Sequence, residues 1–392
     1  MRCTLIAASV AATEDFCLLQ VGAKLRLRGV GDTFTIPIER PDRQSLLQLT
    51  EVRGPAAVGA QPKQHFEGQI RVGTPQRLFT VAFDTGGSTL VLPSIQCEGS
   101  GCTEKAANAH AYNSGHSDTA VADGTTATVK FGYGEVTGPV VHDVVCLGAG
   151  QGPCANTGIL EAKSMDRGIF SALETDGIMG LGLKDPDQGT KMAYVASLVQ
   201  SKSLKNAQFA IWVADQDDED KSEITFGGIS EKRLGGTLGW HPVAPGSNNW
   251  QVALSSIRID GSASGACPSN QCLVAFDTGT PEFTASPDVI DAIRVKLNLD
   301  ESCENYDTLP TMGFQLGRYV YNLGKEQYVK RTERGCHLKM VAHDAGEQHR
   351  IYSVGDDFLS RFYTVYDWTS QTVGLGLAAH KNAASSDAIE IL

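Results

Sequence analysis

Hydrophobic and polar residues alternate with a period of two in several stretches of this chain, the mark of a strand with one buried face. Phe66-Glu67-Gly68-Gln69-Ile70-Arg71-Val72 alternates and stops at the turn Gly73-Thr74-Pro75. Further on, Ala127, Val129, Phe131 and Tyr133 share one face, and Thr128, Lys130 and Gly132 share the other. Gly132 and Gly134 flank Tyr133, and Thr137-Gly138 follows, so this stretch predicts a hairpin with a flexible tip. Phe34-Thr35-Ile36-Pro37-Ile38 is another strand-like piece. Helical spacing is rarer. Val195, Leu198 and Val199 predict a surface helix from Tyr194 to Leu204. Ser286-Pro287-Asp288 reads as the cap, first position and acidic first turn of a helix running to Leu297.

One apolar run occurs twice, letter for letter: Val81-Ala82-Phe83-Asp84-Thr85-Gly86 and Val274-Ala275-Phe276-Asp277-Thr278-Gly279. Each copy reads as a buried strand that ends where turn residues take over, and so sets one carboxylate at a strand end. The copies lie too far apart for a solenoid period and fit a duplicated lobe. Two lobes related by a pseudo-twofold axis would bring Asp84 and Asp277 face to face. Carboxylates held that close share one proton, because like charge disfavours the second ionisation. A water between them could lose a proton to one, while the other donates a hydrogen bond to a carbonyl oxygen. That is peptide-bond hydrolysis without a covalent intermediate. A single Asp-Thr-Gly is as readily an ordinary turn, but chance does not account well for two in identical apolar contexts.

At 392 residues and 41% hydrophobic content the chain can build two lobes with cores of their own. A net charge of -12 and the lack of a basic stripe argue against a nucleic-acid partner. No apolar run is long enough for a transmembrane helix. Residues 1–13 carry one Arg and then apolar and small residues including Ala8-Ser9-Val10-Ala11-Ala12, which reads as a short secretory signal. The 10 cysteines include no Cys-x-x-Cys, and no His stands at a paired-ligand spacing beside a cysteine pair. Disulfides are therefore expected rather than a metal site, and with them an oxidising compartment. Their connectivity does not follow from spacing.

The block Phe83-Asp84-Thr85-Gly86-Gly87-Ser88-Thr89-Leu90-Val91-Leu92-Pro93-Ser94 resembles the first active-site stretch of the pepsin-family aspartic proteases, and Phe276-Asp277-Thr278-Gly279-Thr280 resembles the second. Asp176-Gly177-Ile178-Met179-Gly180-Leu181-Gly182, Val354-Gly355-Asp356-Asp357-Phe358-Leu359 and Val373-Gly374-Leu375 resemble further family blocks, and the likeness covers roughly residues 64–380. It implies an all-β fold with a few short helices, a bilobal double β-barrel with the active-site cleft between the lobes. Residues 14–62 then correspond to a propeptide, 63–238 to the N-terminal lobe with its flap, 239–380 to the C-terminal lobe, and 381–392 to a flexible tail. Arg43, Arg53 and Lys63 are the candidates for a cation that blocks the carboxylates before activation.

The same resemblance implies that Asp84 and Asp277 are catalytic. Thr85, Gly86, Ser88, Thr278, Gly279 and Thr280 would support them. Phe131, Tyr133, Gly134, Ile169, Phe170 and Ile178 would contact substrate. It pairs Cys97 with Cys102, Cys267 with Cys272 and Cys303 with Cys336, leaving Cys146 and Cys154 as a local addition. No metal or cofactor is implied. A peptide or protein substrate, a monomer, and a place in the secretory pathway, either secreted or in an acidic vacuole-like or lysosome-like compartment, are.

Three positions depart from the family: Phe131 replaces the flap tyrosine, Gly87 stands where Ser is usual, and Val91 where Trp is usual. Together they exchange a hydrogen-bonded patch for an apolar one without orphaning any polar group. They are also the feature favouring an alternative reading, a weak or inactive pepsin-fold protein that binds peptides or inhibits. The two complete Asp-Thr-Gly turns favour an active, acid-optimal endopeptidase made as a zymogen.

Overall fold

The computed structural model describes residues 33–40, 65–98, 102, 110–131, 134–166, 175–215, 217–267, 272–280, 282–333, 335–342, 350–382 and 389–392. Strands dominate it, arranged as two lobes and a sheet between them. In the N-terminal lobe the order is Phe66–Val72, Arg77–Asp84, Gly177–Gly180, Leu90–Pro93, Cys154–Ala162, Gly134–Leu147, Val121–Phe131. A second pairing of Phe66–Val72 with the end of Gly134–Leu147 closes this sheet into a barrel. The C-terminal lobe holds two five-stranded sheets. Fold class and bilobal architecture thus match the expectation.

The duplicated hexapeptide occupies equivalent places in the two lobes. Arg77–Asp84 runs antiparallel to Phe66–Val72 and parallel to Gly177–Gly180, which in turn pairs antiparallel with Leu90–Pro93. Cys272–Phe276 runs antiparallel to Gln251–Leu254 and parallel to Arg350–Val354, which pairs antiparallel with Phe283–Ala285. In both cases Val, Ala and Phe are buried on the central strand and the Asp comes at its exit. Successive residues of each copy are buried on both faces of its sheet, which is why this run does not alternate.

A six-stranded sheet joins the lobes: Phe34–Pro37, Glu223–Phe226, Gln208–Trp212, Phe362–Asp367, Thr372–Leu377 and Gly239–Pro242. It draws strands from both halves and, at its edge, the strand that precedes the first lobe. Phe209 stacks on Tyr366 at 4.5 Å, and Trp250 meets both rings edge-on. Trp250 Nε1 donates to Leu181 O at 2.8 Å, so this aromatic core reaches the segment beneath the first Asp-Thr-Gly turn.

The helix expected from Tyr194 stops at Gln200, short of Leu204, and Tyr194, Val195, Ala196 and Leu198 are buried. It is a packed helix rather than a surface one. Pro287–Leu297 forms as expected, ending at Asn298 with φ 51°. Ser286 does not cap it through its side chain; its hydroxyl donates to Asp288 Oδ1. In the acidic stretch Asp217, Glu219, Asp220 and Lys221 are exposed, and the half-buried Asp218 accepts from His380 Nδ1 at 2.7 Å. The tail, expected to fray, ends in a strand, Ile389–Ile391, paired with Tyr319–Leu323. Among the described residues four disulfides form, 97–102, 146–154, 267–272 and 303–336. Among the described residues no helix is long and apolar enough to cross a membrane.

Candidate active site

Each Asp-Thr-Gly turn is held by the other. Thr85 Oγ1 donates to Phe276 O at 2.7 Å, and Thr278 Oγ1 donates to Phe83 O at the same distance. The same hydroxyls accept from the opposite backbone, Thr85 N–H to Thr278 Oγ1 and Thr278 N–H to Thr85 Oγ1, both at 3.0 Å. Thr85 and Thr278 are 1% and 0% exposed, so all four bonds lie in a medium where an unmade bond is expensive. From below, Leu181 N–H donates to Asp84 O at 2.7 Å and Asp277 N–H donates to Val354 O at 3.0 Å.

The grip brings the carboxylates together. Gly86 N–H donates to Asp84 Oδ1 and Gly279 N–H to Asp277 Oδ1, both at 2.8 Å. The position a Cβ would take at Gly279 lies 2.9 Å from Asp84 Oδ1 and 3.2 Å from Asp277 Oδ1. At Gly86 it would lie 2.7 Å from Asp277 Oδ1. Any larger residue in either turn would displace the opposite carboxylate, which is the physical reason for glycine here. Thr280 Oγ1 also donates to Asp277 Oδ2 at 2.5 Å. The equivalent residue of the first turn is Gly87, which has no hydroxyl, so the two sides differ. Ser88 is buried, with its backbone packed against Gly180.

The hairpin of Val121–Phe131 and Gly134–Leu147 forms where the flap is expected, with Phe131 opposite Gly134 at its end. Phe131 packs on a buried cluster that includes Val91, Val136, Leu160, Met165 and Ile178. The patch behind the flap is therefore apolar, as the three departures implied. Ile178, 6% exposed, belongs to that cluster's wall. Tyr133, Ile169 and Phe170 lie outside the described residues, as do Arg43, Arg53 and Lys63.

Two residues of the site were not singled out from the sequence. Asp356 opens the short helix Asp356–Leu359 directly after the strand that pairs with Cys272–Phe276, and it is 4% exposed. Neither of its oxygens has a hydrogen-bond partner among the described residues, but Arg40 Nε stands 3.4 Å from Oδ2. Burial pushes its pKa up to about 7 against the pull of Arg40, with Asp357 and Asp277 adding to the rise. Arg40 also lies over the Phe66 ring at 5.0 Å. The sequence signal was present but faint: two adjacent acids between apolar residues, and an Arg just past a strand.

A family model described as eukaryotic aspartyl protease matches residues 65–378. The chain is similar to gastricsin of Cavia porcellus, 30% identical over 324 residues, which are 80% of this chain and 80% of that protein. It is also similar to gastricsin of Mus musculus, 28% over 320 residues, 79% of this chain and 80% of the relative. For gastricsin of Homo sapiens the figures are 27% over 322 residues, 80% and 81%. With the paired turns in place and the match spanning both lobes, the chain belongs to the eukaryotic aspartyl protease family, of pepsin type.

Proposed function

We propose that the protein is an aspartic endopeptidase that cuts between apolar residues of an extended peptide and is made as a zymogen. The observation that carries this reading is the reciprocal grip, through which each turn's glycine abuts the other turn's carboxylate. In the reaction a water between Asp84 and Asp277 loses a proton to the ionised carboxylate as its oxygen bonds to the scissile carbonyl carbon. The protonated partner gives its proton to the carbonyl oxygen. The tetrahedral species then collapses, the C–N bond breaks, and the nitrogen leaves with a proton from the dyad. Thr85 and Thr278 position the acids, and Thr280 supports Asp277. The flap covers an extended substrate whose alternate side chains enter the cleft, and the apolar patch with Phe131 and Ile178 favours apolar ones. A shared proton gives maximal activity in acid.

The zymogen reading draws support from the strand Phe34–Pro37, which pairs with Glu223–Phe226, and from Arg40 beside Asp356. This arm is the upstream segment docked on the enzyme, with Arg40 the cation that meets the buried acid next to the dyad. The disulfides favour maturation through the secretory pathway, and the reading takes the enzyme as a monomer.

The test is incubation of the purified chain with a mixed peptide library at pH 4 to 6. Wild type should cleave, and Asp84→Asn and Asp277→Asn should each lower the rate about a thousandfold or more. Cleavage that survives either substitution overturns the dyad. A wild type that binds peptides without cutting them supports instead a peptide-binding protein on this fold, the reading that the apolar flap patch favours.

A further inference from the structure

With Phe131 at the position of the flap tyrosine, the tip lacks that side chain's hydroxyl as a polar tether. The structure offers another at Asp166. The short strand Ser164–Met165 runs beside the second strand of the flap, with Val136 opposite Met165 and Thr137 opposite Ser164. Lys163 N–H donates to Thr137 O at 3.0 Å, and Asp166 N–H donates to Glu135 O at 3.1 Å, so the ladder continues towards the tip. There the backbone carbonyl that would come next is replaced by a side chain: Glu135 N–H donates to Asp166 Oδ2 at 2.9 Å. Gly134 fits against this carboxylate on two counts. Its φ is +144°, and a Cβ would stand 2.7 Å from both Cβ and Oδ2 of Asp166.

We propose that Asp166 is a positioning residue that clasps the flap tip and biases it toward the closed form over the cleft. This rests on the protease reading for its kinetic consequence, but the clasp itself does not. A carboxylate accepting a backbone N–H makes a stronger bond than a neutral acceptor and leaves Glu135 fixed one residue from the tip. Weakening it lowers the fraction of closed flap, and apparent affinity for an extended substrate falls by the same fraction.

The experiment compares the full chain with Asp166→Asn, which keeps an acceptor oxygen, Asp166→Ala, which removes it, and Gly134→Ala, which crowds it. Deuterium exchange at the Glu135 amide reports the clasp. kcat and KM for the best library peptide, and affinity for its analogue with a CH2–NH group at the scissile bond, report the flap. Asp166→Ala should raise KM and weaken analogue binding about five- to tenfold with kcat within twofold, while Gly134→Ala is read by exchange alone. Exchange at Glu135 should quicken in both, and Asp166→Asn should restore most of each effect. Unchanged exchange and unchanged KM in Asp166→Ala overturn the proposal, as does equal damage from Asn and Ala. If wild type cuts nothing the protease reading fails, and exchange together with analogue binding decides the clasp by the same criteria.

Discussion

Thr85 and Thr278 have little room to change, since each hydroxyl serves a carbonyl and an amide of the opposite turn at once. Thr278→Ala removes the donor to Phe83 O and the acceptor for Thr85 N–H, leaving buried groups unmatched at about 1–3 kcal/mol each. We expect a loss of about 2–5 kcal/mol for Ala and under about 1 kcal/mol for Ser, which keeps the hydroxyl. Thermal unfolding at constant pH measures this, and an Ala variant as stable as the parent would show that the grip does not hold the lobes. These residues were legible because they lie inside a repeated hexapeptide, where duplication alone implies that the two turns meet. Arg40 and Asp356 were not. Their pairing is decided by how the upstream strand docks on the interlobe sheet, and neither residue type nor local spacing carries that information.

The upstream arm behaves as an element with its own pH response. Ile38 N–H donates to Ser222 O at 2.8 Å, and Ile36 pairs with Ile224, so the arm's amides report whether it is docked. Arg40 attracts Asp356 only while that acid is ionised, and with a pKa of about 7 it is increasingly protonated below neutrality. In an Asp84→Asn background, which prevents self-cleavage, the protection of the Ile36 and Ile38 amides, each rate taken relative to the free-peptide rate at the same pH, should fall as pH falls from 7.5 to 5. Asp356→Asn should show low protection at both pH values. Protection that does not change with pH in the Asp84→Asn protein rules out this pair as the latch. Periodicity located the arm's strand and the flap hairpin, and the cap pattern located the helix from Pro287. Periodicity misjudged the helix from Tyr194 because its partners come from far along the chain: Tyr194 donates to Val145 O, so tertiary contacts set the helix's burial and extent.

Across the whole molecule, two buried titrating groups set opposite slopes of stability against pH. His241 sits on the edge strand of the interlobe sheet, 6% exposed, with Nε2 2.7 Å from the Tyr321 hydroxyl. Burial lowers its pKa from 6.5 to about 4, so between those values the unfolded chain holds a proton that the folded chain refuses. Stability therefore falls as pH drops through that window, by about 3 kcal/mol. Asp356 does the reverse. Its pKa rises from 3.8 to about 7, so the folded chain takes the proton first and stability grows as pH falls from about 7 to 4, by about 4 kcal/mol. Asp218 and Asp367, both held below the usual carboxylate value, withdraw their contribution only below about pH 4. The two larger effects nearly cancel over the range in which an acid protease would work. The cancellation can be taken apart by mutation: His241→Gln should make the unfolding temperature rise by several degrees between pH 7.5 and 4.5, and Asp356→Asn should make it fall. Slopes that match the parent in both variants would mean that other groups govern acid stability.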